Sequence, residues 1–358
     1  MKNKIENYLL NLVHPGTNQK FISAKNIKEI NIESDIKLLI ELNYPSKSFN
    51  ESYCKIISED LFNLTGLKVT VTIKNKILTH KAQQGINHLS NVKNVIAIAS
   101  GKGGVGKSST AVNLALALSG EGSNVGILDA DIYGPSQPLM LGVNQKPKRS
   151  KDGKSMEPVI AHGIQVMSIG FLVDQETPMV WRGPMATSYL EQLLRNTEWD
   201  NLDYLIIDLP PGTGDIQLTL AQKIPVTGSI IVTTPQDIAL LDARRGLKMF
   251  EKVNIPIIGI VENMATHLCT ECGHEEHIFG ANGGEKMSKD YDCELLGSLP
   301  LDISIRENLD KGLPSVAKDP NSKISEIYKL LALKAALKVA KLSEDHTSKF
   351  PNIVIQKS

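Results

Sequence analysis

Short runs of apolar, mostly β-branched residues alternate with helical segments from residue 95 onward. These runs are VIAIA at 95–99, NVGILD at 124–129, YLIIDLP at 204–210, SIIVTTP at 229–235, IIGIVEN at 257–263 and LLGSLP at 295–300. Because they are apolar throughout instead of alternating with polar residues, they predict strands of a mostly parallel sheet covered by helices on both faces. The sequence therefore predicts an α/β fold for this part of the chain.

The first 78 residues have a different pattern. Two extended runs, KLLIELNY at 37–44 and KVTVTIKN at 68–75, flank a segment with Ile56, Ile57, Leu61 and Leu64 at helical spacing and Gly66 as a stop. This order predicts a small α+β domain over 1–78. The polar stretch 79–94 is interpreted as a linker, 95–342 as the main domain ending in an amphipathic helix at 321–342, and 343–358 as a tail.

The stretch GKGGVGKS at 101–108 fits the phosphate-loop pattern G-x-x-x-x-G-K-[ST], between a predicted strand and a predicted helix. Its glycines allow backbone N–H groups to point at phosphate oxygens, and the helix N-terminus adds its dipole. Lys107 is expected to neutralise phosphate charge, and the hydroxyl of Ser108 to bind Mg²⁺. The sequence thus predicts an ATP site and a P-loop domain, with loop contacts from Gly101, Lys102, Gly103, Gly104, Val105, Gly106, Lys107, Ser108 and Ser109.

Acidic residues follow two other predicted strands. Asp208 ends the run YLIID, and we expect it to reach the water shell of Mg²⁺, while the following PPGTGD can sense the γ-phosphate. Asp129 and Asp131 lie at another strand end, where one of them can polarise the attacking water. Capping of the next helix is the ordinary alternative for such a carboxylate. We favour Asp131 as the catalytic carboxylate.

Two of the four cysteines, Cys269 and Cys272, form a CxxC pair, with His274 and His277 close behind. In a reducing compartment such a pair indicates metal or redox chemistry more than a structural disulfide. The ligand types suit both an iron–sulfur cluster and a Cys₂His₂ zinc site, although the spacing is tighter than that of usual zinc fingers. The histidines are expected at the surface, and Cys54 and Cys293 in the core.

The chain has 358 residues with 39 basic and 39 acidic side chains, which give a formal net charge of +0. This balance favours neither nucleic acid nor an anionic membrane as a partner. The sequence has no apolar run long enough to cross a bilayer and no signal-peptide pattern. We therefore expect a cytoplasmic protein with neither nucleic-acid nor membrane partners.

The loop KGGVGKS, with its second lysine Lys102, resembles that of the deviant Walker A ATPases, which are relatives of MinD and ParA. In that class this lysine reaches across a dimer interface to the partner's nucleotide. Three further stretches, LDADIYGPSQPLMLG, IIDLPPGTGDIQLTLAQ with VTTPQDIALLDARRG, and GIVENMATHLCTECGHEEHIFG followed by GSLPLDISIRE, resemble the Mrp/ApbC family of iron–sulfur cluster carrier ATPases over about 95–320.

The resemblance implies a slow ATPase that binds a bridging 4Fe-4S cluster at a homodimer interface and transfers it to apo iron–sulfur proteins. It implies that Cys269 and Cys272 bind the cluster and that Lys102, Lys107 and Asp131 serve hydrolysis. It also implies that Asn263 recognises the adenine edge and that Pro300 and Asp302 line the base pocket.

Two other functions stay open at this point. A MinD- or ParA-like positioning ATPase would need a basic DNA patch or a membrane helix, and neither is evident, although the 321–342 helix is rich in lysine. A zinc-stabilised nucleotide-binding switch would need only the CxxC pair and its histidines. The N-terminal block weakly resembles a small iron–sulfur assembly domain but lacks the expected cysteine, so we assign it no ligand role.

Overall fold

The computed structural model describes residues 1–14, 16–83, 86–151, 153–172, 183–269 and 271–345. Within these residues the elements follow in the order α1 (Lys2–Asn11), β1 (Ile27–Ile32), β2 (Ile36–Leu42), α2 (Lys47–Thr65), β3 (Val69–Asn75), β4 (Val92–Ala99), α3 (Lys107–Gly120), β5 (Val125–Asp129), α4 (Gln137–Met140), β6 (Val159–Ala161), β7 (Ile164–Ser168), α5 (Gly183–Arg195), β8 (Leu202–Asp208), α6 (Asp215–Lys223), β9 (Gly228–Thr233), α7 (Asp237–Lys252), β10 (Ile257–Glu262), β11 (His267–Leu268), β12 (Glu275–Glu276), α8 (Gly283–Asp290), β13 (Leu295–Ser298), α9 (Ile303–Asp310), α10 (Ser315–Lys318) and α11 (Lys323–Ala340). Among the helices described, none is long and apolar enough to cross a membrane.

The main sheet confirms the predicted α/β fold. Its eight strands lie in the order β13-β10-β9-β4-β8-β5-β7-β6, and every neighbouring pair is parallel except β6 with β7. All six predicted runs form strands of this sheet. The side chains of β4, β5, β8, β9 and β10 are almost entirely buried, as expected for strands covered on both faces, whereas β13 at the sheet edge is only partly buried.

The hairpin of β6 and β7 was not predicted. β6 is only three residues long, too short to show a periodic pattern. His162 and Gly163, which connect the two strands, both have positive φ, at 46° and 81°. Two consecutive left-handed residues are typical of the tight turns that match the twist of an antiparallel pair.

The N-terminal residues form a separate three-stranded sheet, in the order β1-β2-β3. Strands β2 and β3 are parallel and are connected by α2, which ends at Gly66 with φ 75° as predicted. The four apolar residues that predicted this helix by their spacing are not all buried. Ile57 and Leu61 are buried, but Ile56 and Leu64 are 36% and 49% exposed. The buried face of α2 instead runs through Tyr53, Ile57 and Leu61, at a regular spacing of four residues. β1, with its weak alternation, was also missed.

The small sheet domain packs against the ends of two helices of the main domain. The backbone N–H and the hydroxyl of Ser48 donate to the Glu121 carboxylate, beyond the end of α3, at 2.9 and 2.6 Å. Asn43 Nδ2 donates to the Ala340 carbonyl at the end of α11, at 3.1 Å. Residues 79–81 run beside 343–345 through a bridge between His80 and Glu344. The predicted tail lies outside the described residues from 346 onward.

Candidate functional site

The phosphate loop connects the end of β4 to the first residue of α3. Gly104 and Gly106 both have φ 80°, a left-handed conformation that side-chain-bearing residues rarely adopt. Gly101 is needed for a different reason. A Cβ atom there would lie 2.2 Å from the carbonyl carbon of Asp242 in α7. The loop therefore combines a backbone in left-handed conformations with close packing against a neighbouring helix.

A cavity of about 220 Å³ opens over this loop. Eight of the predicted site residues line it, together with Pro211 of the PPGTGD segment expected near the γ-phosphate. Ser100, Ser136 and Met140 are additional lining residues to which the sequence analysis gave no role. The eight are Lys102, Gly103, Gly104, Gly106, Lys107, Ser108, Ser109 and Asp131. These predicted residues therefore share one concave space, and its binding of phosphate stays a prediction. Gly101, Val105 and Asp208 lie outside its lining, as do the predicted base-pocket residues.

Lys107 and Asp208 form an ion pair at the base of the cavity. Lys107 is only 6% exposed and Asp208 is fully buried. The second carboxylate oxygen of Asp208 accepts a hydrogen bond from Gln137 Nε2 at 2.9 Å, and the same amide donates to the Ser108 carbonyl at 3.1 Å. Gln137 therefore ties the acidic strand end to the phosphate-loop helix. The sequence contains no local signal for this role, because the contact joins residues 71 positions apart.

The carboxylates at the end of β5 have separate environments. Asp129 is fully buried, and its carboxylate accepts bonds from the N–H groups of Ser136, Gln137 and Asp131 and from the Ser168 hydroxyl, at 3.0 to 3.2 Å. Burial, and next the Asp208 carboxylate, raise the pKa of Asp129 to about 7. Asp129 thus organises the following loop, which is the capping role weighed as the alternative to catalysis.

Asp131 lines the cavity and is half-buried. Burial raises the pKa of its carboxyl, against the opposing effect of the Lys107 charge. A carboxylate with a raised pKa beside a phosphate cradle is suited to accepting a proton from water. Of the two candidates at this strand end, Asp131 lines the cavity and Asp129 does not, and a catalytic role of Asp131 stays a prediction.

Lys102 lines the same cavity but is held loosely. Its ammonium lies 3.4 Å from Gln236 Oε1, and its side chain is half-exposed. The backbone is better fixed, since the Ser100 hydroxyl donates to the Lys102 carbonyl at 2.9 Å. This second lysine therefore has freedom to reach a charge that its own chain does not present.

The three residues expected around adenine have structural contacts of their own. Asn263, just beyond β10, donates from Nδ2 to the Val105 carbonyl of the phosphate loop at 2.9 Å. Asp302 caps α9 by accepting from the Ser304 N–H at 2.7 Å. Pro300 is half-buried between the end of β13 and that cap. A role of these residues in binding the base stays a prediction.

The cysteine pair lies at the tip of a short hairpin formed by β11 and β12. The Cys269 N–H donates to the His274 carbonyl and the Gly273 N–H donates to the Cys269 carbonyl, both at 2.9 Å. Cys272 is exposed and Cys269 half-buried. The N–H groups of Cys272 and Glu271 lower the pKa of the Cys269 thiol. Both thiols are thus available to a ligand from outside the fold.

The other potential ligands do not join this pair. His274 and His277 are exposed, as expected, and the ring of His277 contacts the Ala265 carbonyl at 3.0 Å. Over the part of the chain that the structure describes, no three His, Cys, Asp or Glu side chains are grouped so as to hold a metal ion. Cys293 is buried as expected, whereas Cys54 is only half-buried, which corrects the expectation for that residue.

Comparison with known proteins identifies the family. A sequence model of the ParA family, described as an NUBPL iron-transfer P-loop NTPase, matches residues 91–336. The chain belongs to this family. The family resemblance inferred from the motifs is therefore confirmed.

Relatives with assigned names extend the match beyond the family region. The iron–sulfur cluster carrier protein of Pseudomonas fragi is 61% identical over 274 residues, covering 76% of this chain and 95% of the relative. The protein of the same name from Escherichia coli strain K12 is 51% identical over 331 residues, covering 92% and 89%. A solved nucleotide-binding protein from Archaeoglobus fulgidus in complex with ADP is 34% identical with a TM-score of 0.56, covering 66% of this chain and 91% of that one.

Proposed function

We propose that this member of the family is an ATP-hydrolysing carrier that binds an iron–sulfur cluster between two copies of the chain and delivers it to apo iron–sulfur proteins. The observation that carries the proposal is the placement of two available thiols, Cys269 and Cys272, on a hairpin that directly follows a strand of the nucleotide-site sheet. The names of the relatives, which are iron–sulfur cluster carrier proteins, support the same function.

The side chains and backbone groups that line the cavity over the phosphate loop suit the phosphates of ATP and a bound Mg²⁺. Left-handed Gly104 and Gly106 leave their N–H groups free to face phosphate, and Lys107 provides a buried positive charge beside them. Ser108 offers a hydroxyl oxygen to Mg²⁺, and Asp208 acts on the water shell of the ion. Bound Mg²⁺ would neutralise charge that develops on the transferred phosphate. Asp131 accepts the proton of the attacking water in this scheme.

Lys102 completes the site only in a dimer. Its contact with Gln236 is long, and it is free to reach the nucleotide of a facing copy. A positive charge supplied in this way stabilises the transition state and makes hydrolysis depend on association of two chains. A homodimer would also provide the further cysteine ligands that a cluster needs beyond one CxxC pair.

The cluster is the cargo of this carrier. One chain supplies two thiolates, whereas a 4Fe-4S cluster binds four. Two CxxC pairs that meet across a two-fold axis supply all four. A cluster held between two exposed hairpins stays accessible, which suits transfer to another protein.

Anaerobic reconstitution with iron and sulfide tests this function. We expect about four irons per dimer and the charge-transfer absorption of a cluster. Cys269→Ser and Cys272→Ser should each remove both signals, and Cys54→Ser, at a half-buried cysteine of the small domain, is the matched control. Incubation of the loaded dimer with an apo ferredoxin should transfer the absorption to the acceptor. One zinc per chain with no iron uptake would favour the zinc-stabilised switch and overturn the carrier function.

A further inference from the structure

The hairpin that holds the cysteines is closed at its base by a buried carboxylate. We define the cysteine hairpin as residues 264–282, between β10 and α8. Glu262, the last residue of β10, is 4% exposed, and its Oε1 accepts from the Gly284 N–H in α8 at 2.7 Å. The two ends of the hairpin are therefore held together at its base.

The exit from the hairpin is packed without spare room. A Cβ atom at Gly283 would lie 2.7 Å from Leu240 Cδ1 and 2.9 Å from the Pro235 carbonyl oxygen. A Cβ atom at Gly284 would lie 2.9 Å from Glu262 Cβ. Such contacts are closer than ordinary packing allows. The exit is thus a fixed support against the corner between β9 and α7.

The entry to the hairpin is attached to the phosphate loop. Asn263 Nδ2 donates to the Val105 carbonyl at 2.9 Å, and the Asn263 N–H donates to the Thr233 carbonyl at 2.7 Å. The side chain is so close to the loop that a Cβ atom at Gly106 would lie 2.1 Å from Asn263 Nδ2. Asn263 is 9% exposed, so this contact is made with little water nearby.

The carbonyl that Asn263 binds belongs to a peptide group whose N–H is part of the phosphate loop. The Val105 C=O and the Gly106 N–H are the two ends of one planar unit, which turns as a whole. In a phosphate loop, the N–H groups face the bound phosphates. A phosphate that accepts from the Gly106 N–H therefore acts on the same rigid group that Asn263 holds from the opposite side, and each bond strengthens the other.

The residue directly after Asn263 has a strained backbone conformation. Met264 has φ 57°, a conformation that is uncommon for a bulky side chain. The next residue is anchored, because the Ala265 N–H donates to the Leu299 carbonyl at 2.9 Å. Met264 is thus a sharp bend between the phosphate-loop contact and the hairpin.

We propose that Asn263 is a positioning residue that couples the phosphate loop to the cysteine hairpin, with Met264 as the pivot. This inference rests on the proposed function and names the residues through which nucleotide state acts on the cysteines. Binding of a triphosphate fixes the Val105–Gly106 peptide, Asn263 follows it, and the hairpin turns about Met264 on the support at Gly283.

The test uses the cluster-free chain and the rate at which iodoacetamide alkylates Cys269 and Cys272, read by peptide mass spectrometry at one fixed pH. Rates are compared with and without a saturating non-hydrolysable ATP analogue and Mg²⁺, at a chain concentration where sedimentation shows monomer. We expect nucleotide to change the rate in the wild-type chain by about fivefold or more. Alkylation of Cys54, which is half-buried in the small domain, is the internal reference and should not respond.

Two variants locate the coupling. Asn263→Asp keeps the shape but replaces the donor that faces the Val105 carbonyl with an acceptor, so at saturating nucleotide the rate ratio should fall to about 1. Met264→Gly relieves the strain of the bend and should lower the rate ratio. Its affinity for the nucleotide, measured by calorimetry, should equal that of the wild type. Asn282→Gly is its matched control, since Asn282 also has positive φ, 60°, but lies at the hairpin exit. It should keep the wild-type ratio.

The outcomes separate this inference from the carrier function. The coupling is overturned, even if cluster reconstitution succeeds, by either of two results. One is that nucleotide leaves the alkylation rates of the wild-type chain unchanged, and the other is that Asn263→Asp responds to nucleotide as strongly as the wild-type chain does. If reconstitution fails but the alkylation rates of the thiols still respond to nucleotide, the coupling stands and only the proposal that the chain carries a cluster is overturned. If Asn263→Asp does not fold, equal ratios in Met264→Gly and Asn282→Gly overturn the proposal.

Discussion

The Lys107 ammonium pairs with the Asp208 carboxylate in the interior, so that the first residue of α3 is joined to the last residue of β8. Both groups are almost completely removed from water. Removal of one partner from such a pair leaves a buried charge without compensation, which costs much more than the intact pair contributes. This relationship makes Lys107, the predicted phosphate-binding lysine, a structural residue of the fold.

Lys107→Met should lower the free energy of unfolding by about 3–5 kcal/mol, because Asp208 then keeps only its bond from Gln137. Urea unfolding followed by circular dichroism measures the change. In the double variant Lys107→Met/Asp208→Asn no charge is left unpaired, and most of the lost stability should return. Neither variant should bind ATP tightly. A double variant as unstable as the single one would contradict a buried ion pair.

Gly101→Ala should lower the free energy of unfolding by about 1–3 kcal/mol and weaken ATP binding, since the new methyl group collides with backbone atoms of Asp242 and Ala243. Gly103→Ala is the matched control in the same loop. A Cβ atom there meets only the Pro211 side chain, at 4.0 Å. The free energy of unfolding of Gly103→Ala should stay within about 0.5 kcal/mol of the wild-type value. Equal losses in both variants would show that loop flexibility matters more than the contact with α7.

Local and distant contacts explain which features could be predicted from the sequence. The six strands and the phosphate loop depend on neighbouring residues, and the structure contains them where the pattern placed them. The approach of Gly101 to Asp242 and the bonds of Gln137 to Asp208 and Ser108 join residues far apart in the chain. No periodicity marks such contacts. The hairpin of β6 and β7 could not be predicted for another reason, since the three residues of β6 are too few to form a pattern.

The pKa of Asp129 predicts a pH dependence of stability. Burial, and next Asp208, raise this pKa to about 7 from an ordinary value of 3.8. Between about pH 4 and pH 7 the folded chain thus holds a proton that the unfolded chain has released. The free energy of unfolding should therefore fall as pH rises through this window, by at most about 1.4 kcal/mol per pH unit, and the loss should level off above about pH 7.

Asp129→Asn cannot titrate, so its stability should change less steeply than that of the wild type over this window. Urea unfolding at half-unit steps of pH measures both profiles. The variant should be less stable at low pH, because the amide cannot accept from every donor that surrounds Asp129. The comparison therefore concerns the two slopes. Parallel profiles would show that Asp129 is ionised across the range.

Lys102→Ala tests whether one chain completes the site of another. The side chain is half-exposed and has only a long contact with Gln236, so stability should change by no more than about 0.5 kcal/mol and ATP should still bind. Hydrolysis should fall by about 100-fold or more, because a charge that stabilises the transition state is missing. Lys146→Ala, at an exposed lysine outside the loop, is the control. Wild-type hydrolysis per chain should rise with chain concentration until dimers saturate. A rate independent of concentration, or an active Lys102→Ala, would place all catalytic charge within one chain.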